Sequence, residues 1–482
     1  MDIFIGLEIH IELKTRSKLF CSCPIPPYHL SLKHPNSYIC PICTGHPGTL
    51  PSPNKAALEY ALLMALAVNS KVAPALNFSR KNYFYPDLPK NYQISQHHSL
   101  LGEEGSFTFR VNNQELTVRI KDVHLEEDTA KLVYPEGRLK GAKTVYIDFN
   151  RSGIPLLEIV THPFRSTPFE GRRFLTEFQK AIRFLRISEA NMEEGAMRVD
   201  ANVSLPDEKG KPGKKVEIKN LNSLRFIEKA LTYEAYRQSK LLSEGKTIVQ
   251  ETRGYLEKEG ITVSQRRKEE ASDYRYFPDP DLPRLTLNPS YIEEIKGKLP
   301  PLPQELKKSL VKEGLREDQA EILTQEPGIY AFFQKVREEN RDLAESSSWI
   351  INELLSVVKD NSSFTDIFIT PKELGGLIAK VKTGEITRNL AREALKKSLS
   401  EKIKLEDITN EIKTPFLTEE ELLAIIHEVL KTEEKTVLEY LGGKEKSFNY
   451  LLGKVMKLSS GKAKPADIFR LLTSELGSGL HI

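Results

Sequence analysis

The sequence predicts an α+β protein in which an antiparallel-sheet domain is followed by an all-α helical domain and a small all-α tail domain. Two observations carry this prediction. Up to about Asp281 the chain contains segments in which apolar and polar residues alternate, whereas beyond the proline-rich segment 299–303 nearly every segment has helical periodicity. Alternation with period two indicates strands with one buried and one solvated face, which is typical of antiparallel sheets. We therefore predict domains at 1–295, 296–405 and 406–482.

Several predicted strands place charged side chains on their solvated faces. These are Glu8 and His10 in 3–13, Asp200 in 197–204, and Glu217 and Lys219 in 216–220. A further segment with strand character, 124–131, contains three consecutive acids, Glu126, Glu127 and Asp128. Carboxylates and one imidazole that converge from separate strands form a donor set for Mg²⁺, usually beside the phosphates of a nucleotide. A surface acidic patch balanced by lysine and arginine is the alternative.

The segment 80–96, RKNYFYPDLPKNYQISQ, is a second candidate ligand site. It lacks the periodicity of a core strand or helix, and Pro86 and Pro89 restrict its backbone, so it predicts a rigid, irregular loop. Its lysine, arginine and tyrosine side chains suit an anionic, planar ligand such as a nucleotide. A solvated polar connector is the alternative, although connectors rarely need so many aromatic residues.

All four cysteines lie between positions 21 and 43, as the pairs Cys21/Cys23 and Cys40/Cys43. Two close pairs of this kind predict a four-thiolate zinc site inserted at 21–43. Because four thiolates fill a tetrahedral coordination shell, we expect the zinc to be structural. Disulfides are the less favoured alternative in a cytosolic protein.

Composition and missing motifs argue against several classes of protein. The 482 residues carry 70 lysines and arginines against 67 acids, and a net charge of +3 does not by itself indicate nucleic-acid binding. No run of about 18 apolar residues and no leader pattern is visible, so we expect a cytoplasmic protein without a membrane partner. The chain has no Walker A loop, no glycine-rich dinucleotide loop and no nucleophile elbow, which argues against P-loop, Rossmann and acyl-enzyme designs.

The C-terminal region is locally basic. Between 442 and 470, seven lysines and arginines against two acids leave a net charge of +5, in helical segments broken by glycine. A small helical domain with that excess could bind a phosphate backbone. A solvated helical face is the alternative.

Long segments of the chain resemble one family. They are IGLEIHIELKT at 5–15, the segment 80–96, HLEEDTAK at 124–131, DFNRSGIPLLEIV at 148–160, NMEEGAMRVDANVSL at 191–205, VEIKNLNS at 216–223, QETRG at 250–254, DYRYFPDPDLP at 273–283 and LLGKVMKLSSGKAKP at 451–465. Together they resemble the B subunits (GatB) of bacterial aspartyl/glutamyl-tRNA(Asn/Gln) amidotransferases. The resemblance covers nearly the whole chain.

The resemblance implies an enzyme subunit that uses ATP and Mg²⁺ to phosphorylate the side-chain carboxylate of Glu-tRNA(Gln) or Asp-tRNA(Asn). Ammonia then displaces phosphate and gives the amide. The implied fold is a cradle-like catalytic domain at 1–295, a helical domain, and a tail at 406–482 that contacts tRNA. The implied partners are an amidase subunit (the A subunit) that frees ammonia from glutamine, a small subunit (the C subunit), tRNA(Gln) or tRNA(Asn), and a non-discriminating aminoacyl-tRNA synthetase.

Two alternative functions are considered beside this catalytic one. One is a non-catalytic, tRNA-binding scaffold subunit of the same complex, against which the acids on the strand faces argue because they repel phosphate. The other is an archaeal relative with an inserted synthetase-like domain. No segment of suitable size interrupts 205–300, which makes this alternative weak.

Carried over residue by residue, the resemblance also implies three sets of site residues. The Mg²⁺ ligands are Glu8, His10, Glu127 and Glu217. The catalytic residues are Lys81, Tyr83, Tyr85, Asp87, Glu158, Asp200 and Lys219, and the cofactor-binding residues are Lys81, Lys90 and Arg151. Glu126 and Glu127 point to opposite faces of an unbroken strand, and Glu127 is chosen from the resemblance. Many family members lack the four cysteines, which supports a structural role for Zn²⁺.

Overall fold

The computed structural model describes residues 2–112, 114–135, 143–267, 273–358, 364, 367–411, 417–459 and 463–477. The chain divides into two compact units, Met1–Glu305 and Leu306–Ile482. The first unit is rich in strands and the second is helical, so the predicted α+β class is confirmed. The domain boundaries at 295 and 405 stay predictions.

The strands lie in the first unit. They are β1 (Ile3–Glu12), β2 (Lys71–Val72), β3 (Ala75–Leu76), β4 (Ser79–Asn82), β5 (Tyr92–Ser95), β6 (Gly102–Val111), β7 (Gln114–Glu127), β8 (Lys131–Val133), β9 (Tyr146–Asp148), β10 (Pro155–Thr161), β11 (Phe164–Ser166), β12 (Met197–Ser204), β13 (Val216–Lys219), β14 (Glu251–Leu256), β15 (Ile261–Arg267), β16 (Phe277–Pro278) and β17 (Leu285–Thr286).

Ten of these strands form the main sheet, in the order β15-β14-β13-β12-β1-β10-β7-β6-β2, with β11 paired to the start of β1. All of its pairings are antiparallel except the parallel pair β13–β14. The smaller sheets are β16-β4-β5, β17-β3 and β8-β9. Strand β1 therefore lies near the middle of the main sheet, where it pairs with strands that are distant in sequence.

One face of the main sheet is the core of the first unit. The helices of this unit are α1 (Tyr28–Lys33), α2 (Lys55–Ala67), α3 (Pro168–Phe184), α4 (Leu224–Ser243) and α5 (Pro289–Lys296). Helices α2, α3 and α4 pack against the sheet, and the odd-numbered residues Ile3 to Ile11 of β1 are buried with them. Since side chains alternate along a strand, Glu8, His10 and Glu12 point to the other face. The predicted alternation in 3–13 is thus confirmed.

The second unit is a set of helices with two separate apolar clusters. Its helices are α6 (Pro303–Lys312, which begins in the first unit), α7 (Glu317–Leu323), α8 (Pro327–Asn340), α9 (Leu343–Ser348), a π-helical turn (Trp349–Leu354), α10 (Leu355–Val357), α11 (Pro371–Thr383), α12 (Arg388–Glu401), α13 (Leu405–Glu411), α14 (Glu419–Thr432), α15 (Glu434–Leu441), α16 (Glu445–Leu458) and α17 (Pro465–Gly477). One cluster lies within 310–408 and the other within 422–476.

Local signals explain several helix starts. Thr418 and Glu421 form a capping box at the start of α14, and Thr167 and Glu170 form another at α3. No described helix is long and apolar enough to cross a membrane. Among the cations predicted to form a basic tail surface, Lys462 lies outside the described residues.

The segment 80–96 is only partly the irregular loop that the sequence predicts. Its ends belong to β4 and β5, which pair with each other so that Arg80 lies opposite Ile94 and Lys81 opposite Gln93. The prediction is wrong at these ends because backbone pairing, which polar composition does not reveal, orders them as strands. Residues 83–91 connect the two strands without regular structure.

Candidate metal and substrate site

The solvated face of the main sheet gathers charged residues from five strands around β1. His10 lies opposite Glu158 on β10 and opposite Arg198 on β12, and Glu8 lies opposite Asp200. Residues that face each other across antiparallel strands have Cβ atoms about 4.5–5.5 Å apart. The register therefore brings charged side chains of separate strands into contact.

The first group on this face contains Glu8, Asp200 and Glu217, whose carboxylate oxygens lie within 4.8 Å of one another. Burial raises the pKa of Glu8, and the nearby carboxylates Glu158, Asp200 and Glu217 raise it further. Lys219 partly offsets this charge, because its Nζ lies 2.7 Å from Oδ2 of Asp200 and 3.3 Å from Oε1 of Glu217. We refer to these three acids as the Glu8 cluster.

The second group contains His10, Glu126 and Glu158, which also lie within 4.8 Å of one another. Nε2 of His10 is 3.3 Å from Oε2 of Glu158 and 3.8 Å from Oε1 of Glu126. Burial acts against protonation of the imidazole, but the hydrogen bond and charge of Glu158 raise the pKa of His10 above its usual value. This group, the His10 cluster, therefore attracts a cation.

Two further residues support the His10 cluster from β7. Nε2 of His124 lies 3.0 Å from Oε2 of Glu158, and Nδ1 of the same imidazole lies 3.1 Å from Oδ1 of Asp122. His124 is thus held between two carboxylates and fixes the orientation of Glu158. Such outer contacts orient metal ligands in proteins.

The structure brings Glu126, and not Glu127, to His10. Glu127 is buried on the other side of β7, where it forms an ion pair with Lys90 and accepts a hydrogen bond of 2.9 Å from the backbone N–H of Ile94. The alternation along β7 explains this, because Val123 and Leu125 point into the core and His124 and Glu126 share the polar face. This alternation was visible in the sequence.

Lys81 on β4 belongs to an aromatic pocket near the His10 cluster. Its Nζ lies 5.2 Å from the ring centroid of Tyr274 and 5.9 Å from that of Tyr83. Burial opposes the positive charge of this lysine, but Glu126 and other neighbouring groups raise its pKa. Tyr276 stacks on His97 at a ring distance of 3.8 Å, and it also borders this region. Sequence reasoning missed Tyr274, Tyr276 and His97, although two of them lie in a motif that carried the resemblance.

The remaining predicted residues of the 80–96 segment have different surroundings. Oη of Tyr83 donates a hydrogen bond of 3.2 Å to Gln93, while Tyr85 is about half exposed. Burial raises the pKa of Asp87. Lys90 is committed to Glu127, so neither member of that ion pair joins the two carboxylate groups of the described residues.

Arg151 lies in a third polar group at the end of β1. Its Nε donates hydrogen bonds to Oε1 of Glu12 at 3.1 Å and to Oδ2 of Asp128 at 2.7 Å, and Asp128 also accepts one from Arg198 at 2.9 Å. Burial and the charge of Asp128 raise the pKa of Glu12 to about 7. Despite the burial of Asp128, Arg151 and Arg198 lower its pKa to about 2. Sequence reasoning placed Asp128 among the candidate metal-binding acids but missed Glu12 and Arg198 as site residues.

The four cysteines form a separate centre. All four are free thiols, and their Sγ atoms lie within 4.8 Å of one another. The hydrogen bond with Cys21 lowers the pKa of Cys43 to about 4, and Lys18, whose Nζ lies 3.5 Å from Sγ of Cys43, acts in the same direction. Four converging sulfur atoms could bind a metal ion.

The donor sets of the three groups fit different ions. The Glu8 cluster offers three carboxylates, which suit hard divalent cations such as Mg²⁺. The His10 cluster offers two carboxylates and one imidazole, and its carboxylates suit Mn²⁺ as well as Mg²⁺. The four thiolates suit Zn²⁺ and leave no open coordination position in a tetrahedral site.

Comparisons with known proteins agree with the family resemblance of the sequence motifs. Residues 3–293 match the model of the GatB/GatE catalytic domain, and residues 331–476 match that of the GatB domain. A protein of Thermotoga maritima is 40% identical over 475 residues, 97% of each chain, and one of Thermosipho melanesiensis is 40% identical over 462 residues, 95% of this chain and 96% of the relative. One of Caldicellulosiruptor saccharolyticus is 39% identical over 485 residues, 98% of this chain and 99% of the relative. All three are named as the B subunit of aspartyl/glutamyl-tRNA(Asn/Gln) amidotransferase. This chain belongs to the GatB/GatE family.

Proposed function

We propose that this chain is the B subunit of a tRNA-dependent amidotransferase and that it activates the side-chain carboxylate of Glu-tRNA(Gln) or Asp-tRNA(Asn) with ATP. The observation that carries the proposal is the pair of carboxylate groups along β1, the Glu8 cluster and the His10 cluster, with the cationic Lys81 close to the second. The matching relatives support the reaction class.

The reaction needs activation because an ionised carboxylate has no leaving group other than oxide. Transfer of the γ-phosphoryl group breaks its bond to the β-phosphate oxygen, releases ADP and forms a P–O bond to the carboxylate. The lone pair of ammonia then forms the C–N bond, the C–O bond to phosphate breaks, and the nitrogen loses a proton. Both partners of the first step are anions, so the site has to supply positive charge.

Two sets of residues in this chain would supply the positive charge, metal ligands and lysines. Glu8, Asp200 and Glu217 together with His10, Glu126 and Glu158 would hold Mg²⁺, which neutralises phosphate and carboxylate charge when bound. Lys81 and Lys219 would add fixed positive charge beside the two clusters. We place Glu126 in the ligand set, where the resemblance alone pointed to Glu127, because Glu126 contacts His10 and Glu127 is paired with Lys90.

The other predicted roles stay proposals with weaker support. Tyr83 borders Lys81 and would shape the ATP pocket, whereas no contact within the described part of the chain assigns a step to Tyr85 or Asp87. Lys90 and Arg151, predicted to bind the cofactor, are each engaged with buried carboxylates. We propose a positioning role for both.

The proposed function also implies partner subunits, tRNA and a structural metal ion. The amidase (A) subunit would supply ammonia, the small (C) subunit would complete the complex, and tRNA(Gln) or tRNA(Asn) would bind with help from the basic tail. A non-discriminating synthetase would supply the misacylated tRNA. The four cysteines would hold a structural Zn²⁺, and the proposed location is cytoplasmic.

ATP cleavage by the reconstituted three-subunit complex tests the proposal. With Glu-tRNA(Gln) present, we expect Glu8→Ala and Lys81→Ala each to lower ADP release by about 100-fold or more, because each removes charge stabilisation at the reacting groups. Glu103→Ala is the matched control, since Glu103 is an exposed acid on β6 of the same sheet. ADP release that is unchanged in both variants would contradict the proposal and favour the tRNA-binding scaffold.

A further inference from the structure

We propose that a cavity beside the His10 cluster holds the aminoacyl group of the charged tRNA, with its side-chain carboxylate bound by the guanidinium of Arg198. This inference rests on the proposed function and names the contact that recognises the substrate within the same site. The two carboxylate clusters do not account for Arg198, which lies on the same face of the sheet.

The cavity has the size of a ligand site. Its volume is about 790 Å³, and small-molecule sites typically measure about 300–1,000 Å³. It lies over one end of β1 and β12, and the segments 148–154 and 192–198 contribute to its walls. Its lining includes Glu12, Arg151, Met192, Glu193, Arg198 and Phe226. This space suits a terminal nucleoside that carries an amino acid.

The register of the sheet places Arg198 next to the proposed phosphoryl transfer. Arg198 lies directly opposite His10, so the Cβ atoms of the two residues are about 4.5–5.5 Å apart. Glu12, which also lines the cavity, follows His10 on the same face of β1 at about 7 Å. A carboxylate bound to Arg198 would therefore lie within one side-chain length of the His10 cluster.

Arg198 is available for a ligand, whereas Arg151 is already engaged. Among the described residues, Arg198 donates one hydrogen bond, from Nη2 to Oδ2 of Asp128, although a guanidinium has five N–H groups. Its side chain is 39% exposed, whereas that of Asp128 is 3% exposed. Asp128, itself held by Arg151, thus anchors one edge of the Arg198 guanidinium. The planar guanidinium matches the geometry of a carboxylate and can bind it with two parallel hydrogen bonds.

The cavity also offers negative charge for the other end of the amino acid. Glu193 and Glu194 line it, are exposed, and have no ion pair among the residues that the structure describes. An aminoacyl ester carries an α-ammonium group besides its side-chain carboxylate. The two acids suit the α-ammonium group, and the available Arg198 favours an acidic side chain over its amide. After amidation the carboxylate charge is lost, which would weaken the contact with Arg198 and favour product release.

Competition binding to the reconstituted complex tests this inference without any chemical step. Binding of Glu-tRNA(Gln), Gln-tRNA(Gln) and uncharged tRNA(Gln) is measured in the absence of ATP. We expect the unmodified complex to prefer Glu-tRNA(Gln) over Gln-tRNA(Gln), and Arg198→Gln to reduce that preference by about 10-fold or more while the affinity for uncharged tRNA is unchanged. Arg198→Lys keeps the positive charge but cannot form two parallel hydrogen bonds to a carboxylate. The preference of this variant for Glu-tRNA(Gln) should therefore be intermediate.

Arg119→Gln is the matched control, because Arg119 lies on β7 of the same sheet in an exposed ion pair with Glu104. It should leave all three affinities unchanged. A preference that survives in Arg198→Gln, or an equal loss of affinity for all three tRNAs, would overturn the inference, the second outcome indicating a phosphate contact. Should Arg198→Gln fail to fold, as judged by its circular dichroism melt, Arg198→Lys carries the test, and a preference equal to that of the unmodified complex would then overturn the inference.

ATP cleavage by the unmodified complex separates this inference from the function on which it rests. Absence of tRNA-dependent ADP release would reject the proposed function. Normal ADP release together with an unchanged preference in the Arg198 variants would reject only the assignment of the carboxylate to Arg198.

Discussion

The four-cysteine centre and the carboxylate face of the main sheet are both candidate metal centres, but they are assembled over very different distances along the chain. The four thiols all come from positions 21 to 43. The Glu8 and His10 clusters draw on five strands, from Glu8 on β1 to Glu217 on β13. The thiols converge because their spacing is short, whereas the carboxylates converge because the strands pair in one register.

The two centres also differ in their expected roles, which are stabilisation of the fold for the cysteines and catalysis for the carboxylates. Four sulfurs complete a tetrahedral shell, so the cysteine centre can stabilise its loop but leaves no position for a substrate. The carboxylate face is open to one side of the sheet and lies beside a cavity and a half-buried lysine, Lys81. The predictions below test whether the two centres differ in this way, and they run from the largest expected effect on metal-dependent activity to the smallest.

Removal of Glu158 should have the largest effect. Oε2 of Glu158 contacts both His10 and His124, so Glu158→Ala removes a ligand from the His10 cluster and the acceptor that orients both imidazoles. We expect ADP release by the complex to fall by at least about 100-fold. Glu103→Ala serves again as control, and a fall of less than threefold in Glu158→Ala would place the metal elsewhere.

Glu126→Gln and Glu127→Gln should differ in their effect on metal binding. Glu126 contacts His10, so its substitution should weaken Mn²⁺ binding by about 10-fold or more. Glu127 pairs with Lys90 on the other side of β7, so its substitution should change Mn²⁺ affinity much less. Electron paramagnetic resonance of free Mn²⁺ measures both affinities, and the reverse order would restore Glu127 as the ligand.

His124→Leu should weaken Mn²⁺ binding by about 10-fold, at the lower end of the range for residues that orient metal ligands. The variant keeps the Glu158 carboxylate but removes the imidazole that bridges its Oε2 to Oδ1 of Asp122. His124→Gln is the conservative control, because an amide can still hydrogen-bond to both carboxylates. Equal affinities in the leucine variant and the unmodified chain would show that His124 has no positioning role.

Loss of the cysteine centre should have the smallest effect on chemistry. The double variant Cys21→Ser/Cys23→Ser should lose its Zn²⁺, as measured by elemental analysis, and melt at a lower temperature because metal binding is coupled to folding. Below that melting temperature, ADP release should stay within about threefold of the unmodified complex, since the thiols contact none of the proposed ligands. A fall in ADP release of more than about threefold in the folded variant would instead show that the two centres are functionally linked.

The 124–128 segment shows how much of the site the sequence could have revealed. Val123 and Leu125 are apolar and His124 and Glu126 are polar, so alternation alone assigns Glu126 to the face of His124. Relying on the resemblance led to Glu127. For Glu12 and Arg198 the sequence contains no comparable signal, because charged residues are common on the solvated face of a strand. Only the tertiary structure, which pairs β1 with β12 and β10, makes them neighbours of His10 and Asp128.

The sequence by itself determined the α+β class, the strand at 3–13, the close grouping of the four cysteines and the family. These features depend on residue periodicity and on short spacings, which are local properties of the chain. Only the tertiary structure decided which acids share a site, that Lys90 is paired with Glu127, and that Arg198 faces a cavity. The physical reason is register, since a shift of one residue in any strand pair would move its side chains to the opposite face of the sheet.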